Sequence, residues 1–394
     1  MWINIRLFKD CLKKVKNVAG PAPGNGRTPL IRLMLTPVDG KTVIRLETFN
    51  GELFASSSCV ESGSAIPVPF EGCLPAAHLE GILNALGNEG NIGVEPPDNE
   101  EGSTITFLAE KARWDVPFAA TTVLPKPHDD SAWEPFGLGE VVLESILRCL
   151  HAASREWTRT HIAGVRVEST ENRLYCVATD GHRLALEENP IAPQNDKFHW
   201  PGITLPFGLC DYLKRHRMYD VKISPDRHFI SMSSVDASVQ ASLIDSDYPA
   251  WRQVIPQEDG MWIFRVNMAE ALGALDVVNA IATPGSNSLA LVWRGTSELE
   301  MLREHNGNKA SARFVAVPEN TETGGTFRVS VNRMYFQQML ESFSAIASLP
   351  EEERRECVLM VPKREGAALL CEGGRVSREV IMPMRTVGEA EENA

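Results

Sequence analysis

The sequence predicts an α+β chain of three similar domains, each with two copies of a unit that contains one helix and several short strands. Helical apolar patterns recur six times, about 60 to 70 residues apart, which is the spacing of a supersecondary repeat. Strand-like stretches lie between these patterns, and proline-rich segments follow the second and the fourth. A chain of 394 residues is also too long for one hydrophobic core.

Six segments predict helices because their apolar residues recur at spacings of three and four, which places these residues on one face. The helical segments are Leu7–Val15, Leu79–Leu86, Leu143–Leu150, Leu209–Leu213, Met268–Leu275 and Phe336–Phe343.

The stretches between the helices predict strands because they are rich in β-branched and aromatic residues. The strand-like stretches are KTVIRLETFN, STITFLAE, HIAGVRVES, RLYCVATD, HFISMSSV, LALVWR, CVLMVP and ALLCEGG. The proline-rich segments LPKPHDDSAWEP and YPAWRQVIPQEDG are interpreted as linkers. These divide the chain into predicted domains, followed by an acidic tail, at residues 1–126, 135–256, 260–386 and 387–394.

The net charge of −13 is unevenly distributed along the chain. Residues 1–32 carry a net charge of +6, whereas residues 33–130 hold five basic and fifteen acidic side chains. Such a chain can present a basic face to phosphate groups while its outer surface stays acidic. The eight cysteines are scattered, which argues against a zinc site or a disulfide framework. No apolar run reaches the ~18 residues that span a bilayer, so we expect a cytoplasmic protein. We also expect that the protein uses no cofactor.

Basic side chains on the first helix are candidates for contact with nucleic acid. Lys9, Lys13 and Lys16 have the spacing i, i+4, i+7 and lie opposite the apolar stripe. A solvated lysine face is the commoner explanation of such a run. Basic residues recur, however, in REWTRT and LKRHR. Lysines and arginines on one surface would give salt-dependent, sequence-independent affinity for a phosphate backbone.

Three motifs carry a resemblance to a known family. VATDGHRLA (177–185), YPAWRQVIP (248–256) and VIMPMR (380–385) occur in the order and at about the spacing of the bacterial DNA polymerase III beta sliding clamp family, which the chain resembles from about residue 1 to 386. GPAPGNGRTPL near the start also resembles the first loop of that family. The resemblance implies the DNA clamp fold, in which each domain has two β-α-β-β-β units. It further implies a head-to-tail dimer that closes into a ring around duplex DNA.

The same resemblance implies a groove that binds short linear peptides of polymerases, the clamp loader and repair proteins. Methionine side chains suit this role because they repack around varied ligands. Carried over to this sequence, the groove residues are Ile162, Thr179, Gly181, His182, Arg183, Leu184, Pro249, Gln253, Val254, Val380, Met382, Pro383, Met384 and Arg385.

The DNA-facing surface and the ring interface are expected at separate positions. The expected DNA-facing residues are Lys9, Lys13, Lys16, Arg27, Arg155, Arg159, Lys214, Arg215 and Arg217. By alignment to the family, Trp114 and Val116 of one chain should meet Val277 and Val278 of the other. Burial of these four side chains within their own domains is an equally open alternative.

Several features leave other interpretations open. Asp180-Gly181 is a common turn signal, and Met382-Pro383-Met384 could be an edge strand. An enzyme that uses His182 is disfavoured, because the sequence lacks the nucleophile, metalloprotease and phosphate-loop motifs. Gln253 stands where the family commonly has a second arginine, and the fifth helix has no lysine or arginine. These departures favour, as the alternative function, a clamp-like paralogue acting as a decoy, resistance or repair-specific clamp.

The sequence thus predicts a non-catalytic processivity factor that encircles duplex DNA and tethers replicative and repair polymerases. The predicted partners are double-stranded DNA without sequence preference, polymerase and clamp loader subunits, and a second copy of the chain. No membrane partner is expected. Weak phosphate contacts suit this role, since strong base readout would hold a ring in one place.

Overall fold

A computed structural model shows the fold of most of the chain. It describes residues 1–19, 28–62, 66, 68–97, 103–120, 123–137, 139–156, 158–170, 172–191, 200, 202–281, 287–319, 325–344, 355–374 and 377–384.

The described residues form six consecutive β-α-β-β-β units. The first two units consist of β1 (Trp2–Asn4), α1 (Ile5–Val15), β2 (Leu30–Val38), β3 (Lys41–Phe49), β4 (Leu53–Glu61), β5 (Phe70–Pro75), α2 (Ala76–Ala85), β6 (Asn91–Glu95), β7 (Thr104–Ala109) and β8 (Ala112–Pro117). The next two consist of β9 (Glu134–Gly137), α3 (Glu140–Cys149), β10 (Gly164–Ser169), β11 (Arg173–Thr179), β12 (Arg183–Pro190), β13 (Ile203–Pro206), α4 (Phe207–Arg215), β14 (Asp220–Ile223), β15 (Phe229–Ser233) and β16 (Ala237–Ser242). The last two consist of β17 (Met261–Asn267), α5 (Met268–Asn279), β18 (Ser288–Trp293), β19 (Glu298–His305), β20 (Asn308–Pro318), β21 (Phe327–Asn332), α6 (Arg333–Ser344), β22 (Glu356–Pro362), β23 (Leu369–Gly373) and β24 (Ser377–Ile381).

Local sequence explains how the helices begin. Asn4 ends β1 and caps α1, because its side-chain oxygen accepts hydrogen bonds from the backbone N–H groups of Arg6 and Leu7 at 3.0 and 3.2 Å. Asn267 caps α5 in the same way, accepting from Glu270 N at 3.1 Å. Phe8, Cys11, Leu12 and Val15 of α1 are buried, as their spacing predicted, whereas Leu7 is 42% exposed.

The chain divides into two compact units. The first unit comprises residues 1–139 and 208–244, and the second comprises residues 140–207 and 245–394. The first contains a four-stranded sheet of order β1-β6-β7-β8 and an eight-stranded sheet of order β5-β2-β3-β4-β16-β15-β14-β9. In the larger sheet, β4 pairs antiparallel with β16, so strands of the predicted first and central domains form one sheet.

The second unit contains a twelve-stranded sheet of order β13-β10-β11-β12-β24-β23-β22-β17-β20-β19-β18-β21. Here β12 pairs antiparallel with β24 in the register Arg183↔Ile381 and Leu184↔Val380. A large hydrophobic core that includes Phe264 and Phe336 is formed by residues of β17 to β24 and of α5 and α6. Because both large sheets continue across the expected domain boundaries, the division into three domains stays a prediction. Within the described residues, no helix is long and apolar enough to cross a bilayer.

Candidate peptide groove and DNA-facing residues

The turn between β11 and β12 holds the predicted His-Arg pair. One oxygen of the Asp180 carboxylate accepts hydrogen bonds from the backbone N–H groups of His182 (2.9 Å) and Arg183 (3.1 Å). Thr179 closes the turn by donating its hydroxyl to the Arg183 carbonyl at 2.6 Å. Gly181 has a φ of 89°, which favours glycine. The turn is therefore fixed by its own side chains, and His182 is left exposed.

The Arg183 side chain is buried and bound by the protein itself. Its Nε donates to Asp180 at 3.1 Å, its Nη1 donates to Gln338 at 2.6 Å, and its Nη2 donates to the His151 carbonyl. The guanidinium also lies 4.2 Å from the centre of the Tyr335 ring. This geometry favours a role in joining the turn to α6 over the contact with a bound peptide that we predicted.

The C-terminal segment lies directly beside this turn. Because β24 pairs with β12, the chain leaves β24 next to His182, and Met382 N donates to the His182 carbonyl at 2.9 Å. Two residues later, Met384 N donates to the Ser330 carbonyl at 2.7 Å. Met382 and Met384 are 45% and 37% exposed, so two methionines lie on the surface near the exposed His182. Arg385 lies outside the described residues.

A small cluster of buried apolar residues includes residues of β12 and β24. It contains the predicted groove residues Leu184 and Val380, together with Trp251 from the segment that was interpreted as a linker. This segment forms a 3₁₀ turn over Trp251–Val254, which leaves Val254 54% exposed. Two further predicted groove residues, Pro249 and Gln253, are exposed. Ile162 is buried instead.

Arg159 contacts the turn between β11 and β12, although the sequence placed it among the DNA contacts. Its Nη1 donates to the Asp180 carbonyl at 2.8 Å, and a β-carbon added to Gly181 would lie 3.0 Å from this nitrogen. Its Nε pairs with Glu156 at 3.0 Å. The position of Arg159, three residues before the predicted groove residue Ile162, was a sequence signal for this location.

A cleft of about 350 Å³ lies beside residues 248–253, and of its lining residues only Pro249 and Gln253 were predicted groove residues. Strand β10 supplies Arg166 and Glu168, and residues 248–253 supply the opposite side. Glu168 accepts hydrogen bonds from Arg252 Nη1 at 2.8 Å, Arg166 Nε at 3.2 Å and the Trp251 indole at 3.3 Å. The alternation of charged and apolar residues in GVRVES was the available signal, because it places both charged side chains on one face of the strand.

The charges of the cleft keep its carboxylate ionised. Burial alone would raise the pKa of Glu168, but the hydrogen bonds and positive charges of Arg252 and Arg166 outweigh burial and hold that pKa below the usual value. Arg252 also lies over the rings of Trp251 and Tyr175, at 4.1 and 4.9 Å from their centres.

The three lysines that were predicted to share one face of α1 have different partners in the structure. Lys9 Nζ donates to the Leu86 and Gly87 carbonyls at 2.9 and 3.1 Å, so it satisfies carbonyls just after α2. Lys16 pairs with Glu80 of α2 at 2.5 Å. Lys13 is exposed, and its partner at 3.2 Å is Asp10 of the same helix.

The other predicted DNA-facing residues fall into three groups. Lys214 and Arg217 are exposed near the end of α4, whereas Arg215 pairs with Asp211. Arg155 is exposed and lies 4.9 Å from the centre of the Phe207 ring. Arg27 lies outside the described residues. The assignment of these residues to DNA stays a prediction.

The four residues of the predicted ring interface differ in exposure. Val277 of α5 is 57% exposed and Trp114 of β8 is partly exposed. Val278 is fully buried and Val116 is 6% exposed, so both pack within their own unit. The interface stays a prediction, and only Val277 and Trp114 are now suited to meet a partner.

Comparisons with known proteins relate the chain to subunits of DNA polymerase III. Residues 139–250 match the family model described as DNA polymerase III beta subunit, central domain. The beta sliding clamp of Escherichia coli K12 is 23% identical over 253 residues, which cover 62% of this chain and 66% of the relative. That of Halalkalibacterium halodurans is 24% identical over 210 residues, covering 50% and 52%. The matched part thus spans between half and two thirds of these relatives.

Solved structures extend the likeness over nearly the whole chain. The DNA polymerase III subunit beta from Pseudomonas aeruginosa has a TM-score of 0.78 at 17% identity, with 98% of this chain and 100% of that chain covered. The DNA polymerase sliding clamp from Caulobacter crescentus has a TM-score of 0.80 at 19% identity, with 98% and 99% covered. These likenesses establish the predicted clamp fold. Together with the match of residues 139–250 to the central-domain model, they show that the chain is similar to the bacterial DNA polymerase III beta sliding clamps.

Proposed function

We propose that this protein is a sliding clamp that encircles duplex DNA as a head-to-tail dimer and tethers polymerases through a peptide groove. The observation that carries the proposal is the junction of β12 with β24. This junction brings His182 and Met382 of two distant motifs into direct hydrogen bonding. The proposed role requires no reaction of the chain's own, and it places the protein with the chromosome in the cytoplasm.

The chemistry of the junction suits a short apolar peptide. The exposed methionines Met382 and Met384 can adapt to different peptide side chains. Leu184 and Val380 of the paired strands are buried in an apolar cluster. The exposed His182 supplies a polar group at the edge. One such groove can serve several partners in turn, including polymerases and the clamp loader.

The basic residues support a weak hold on DNA. Lys13, Lys214 and Arg217 are exposed and can meet phosphates. Lys9 donates to two backbone carbonyls and Lys16 pairs with Glu80. A few exposed cations give a low, sequence-independent affinity. This suits a ring that must move along the duplex and is kept there by its closed shape.

Polymerase processivity on a primed circular template, with the cognate loader, tests the proposal. We expect long products with the wild-type protein and short products with a Met382→Ala/Met384→Ala variant, because both side chains are exposed and their loss removes groove contacts rather than core packing. Val235→Ala, which changes a fully exposed turn residue of the first unit, is the control and should support long products. Short products with the wild-type dimer would contradict the proposed function.

A further inference from the structure

We propose that the cleft between β10 and residues 248–253 is a second compartment of the groove, which binds a carboxylate of the partner peptide. This inference rests on the proposed function, since it assumes that peptides bind next to His182. It adds a class of ligand to the proposed groove. It also adds two residues, Arg166 and Arg252, that were not among the predicted groove residues.

The charge balance of the cleft favours an anion. Two guanidiniums, of Arg166 and Arg252, face a single carboxylate, that of Glu168. Glu168 already accepts three hydrogen bonds, from both arginines and from Trp251. The three ionised side chains therefore leave one positive charge in excess. A carboxylate that enters the cleft gains a partner and leaves Glu168 paired.

The donor geometry also suits a carboxylate. Each guanidinium holds Glu168 through one nitrogen, and a guanidinium carries five N–H donors in a planar fork. Stacking of Arg252 on Trp251 and Tyr175 fixes the plane of this fork. The Arg252 side chain is 53% exposed, so its remaining donors are accessible from solvent. A fixed fork loses little side-chain entropy when it binds a carboxylate.

The cleft and the groove share walls, which is why a single peptide can reach both. Pro249 and Gln253 line the cleft and are also predicted groove residues. Trp251, which donates to Glu168 on the cleft side, belongs to the apolar cluster that contains Leu184 and Val380. An apolar peptide segment over this cluster would therefore place a neighbouring residue at the cleft.

Fluorescence anisotropy with matched peptides tests the inference on the full-length protein. The probes are dodecapeptides with a central Leu-Leu-Phe. Each carries one glutamate at the first, second or third residue before or after this Leu-Leu-Phe. Each is compared with the same peptide in which glutamine replaces the glutamate. We expect one glutamate peptide to bind about three- to tenfold more tightly than its glutamine partner, as is typical of a partly exposed charge-assisted hydrogen bond. This preference should fall to about twofold or less in Arg166→Gln and in Arg252→Gln.

Arg173→Gln is the matched control, because Arg173 forms an ion pair with Glu188 on the same sheet, at 2.8 Å, and does not line the cleft. It should keep the preference. Equal binding of every glutamate and glutamine pair by the wild-type protein would overturn the inference and leave the proposed function standing. If a preference persisted in both Arg166→Gln and Arg252→Gln, the carboxylate would be bound elsewhere. Failure of all peptides to bind would overturn the peptide groove itself.

Discussion

His151 connects α3 to β24 through partly buried hydrogen bonds of its ring. Its Nδ1 donates to the Arg148 carbonyl at 2.7 Å, and its Nε2 lies 3.1 Å from the Glu379 carboxylate, which also accepts from Ser342 at 2.6 Å. Burial and the charge of Arg183 lower the pKa of His151, but the charge and hydrogen bond of Glu379 outweigh them, so the pKa is raised. The protonated imidazole therefore stabilises the folded state.

This shift predicts a dependence of stability on pH. Because the pKa of His151 is higher in the folded than in the unfolded chain, its contribution is complete below the unfolded value of about 6.5 and is lost as the pH rises through the folded pKa. We expect His151→Gln to lower the free energy of unfolding by about 1 to 3 kcal/mol at pH 6 and by less at pH 9. Urea unfolding at both pH values measures this, with the exposed His161→Gln as control. A loss that is equal at the two pH values would contradict the prediction.

At the scale of single elements, the sequence predicted the helices better than the opening strands of the repeats. The six apolar patterns lie within or overlap α1 to α6, because one buried face is a strong periodic signal. Strand β9 begins in the segment that was interpreted as a linker and continues to Gly137. As the edge strand of its sheet, it tolerates Pro135. Strands β1 and β13 have only three and four residues, too few to show a period.

The candidate site was only partly predictable. The family resemblance placed the motifs VATDGHRLA and VIMPMR in one groove, and the register shows that their strands, β12 and β24, pair with each other. The partners of charged side chains could not be predicted, because they lie far away in sequence. Lys9, for example, meets carbonyls that are 77 and 78 residues further along the chain. Spacing predicted that Lys9, Lys13 and Lys16 share a face, and only the packing shows what each of them contacts.

Helix α5 allows a paired test of the ring interface. Val277→Glu changes an exposed side chain, so we expect a folded monomer if α5 meets the partner. Val278→Glu places a carboxylate in the core, where an unpaired charge costs several kcal/mol, so we expect unfolding instead. Light scattering and circular dichroism distinguish the two results. A Val277→Glu protein that remains a dimer would exclude this part of α5 from the interface.

On the scale of the whole molecule, the negative net charge opposes tight binding of DNA. The chain carries −13, and many of its basic residues lie in ion pairs or capping bonds within the protein. Coulombic attraction to a duplex would then come from a few exposed cations and fall quickly with salt. Retention on DNA would depend on closure of the ring more than on contact energy.

Substitutions of Lys9 and Lys13 are expected to affect different properties, the stability of the protein and its binding to DNA. We expect Lys13→Ala to reduce the slope of log Kd against log salt concentration for linear duplex DNA by about 1, with no loss of stability, because Lys13 is exposed. Lys9→Ala should keep the slope and lower the free energy of unfolding by about 1 kcal/mol, because it removes hydrogen bonds to carbonyls after α2. Anisotropy titrations and urea unfolding measure the two effects. If Lys9→Ala changed the slope and Lys13→Ala did not, the assignment would be reversed.

The position of β24 inside the twelve-stranded sheet has a mechanical consequence. Met382 continues a strand that is paired over five register positions with β12 on one side and over five with β23 on the other. Antiparallel hydrogen bonds run perpendicular to the strands. A force that pulls Met382 along the strand therefore loads both ladders in shear, so many bonds must break together rather than one after another. If the proposed groove holds a moving partner, this wall of the groove would bear tension without peeling away from the sheet.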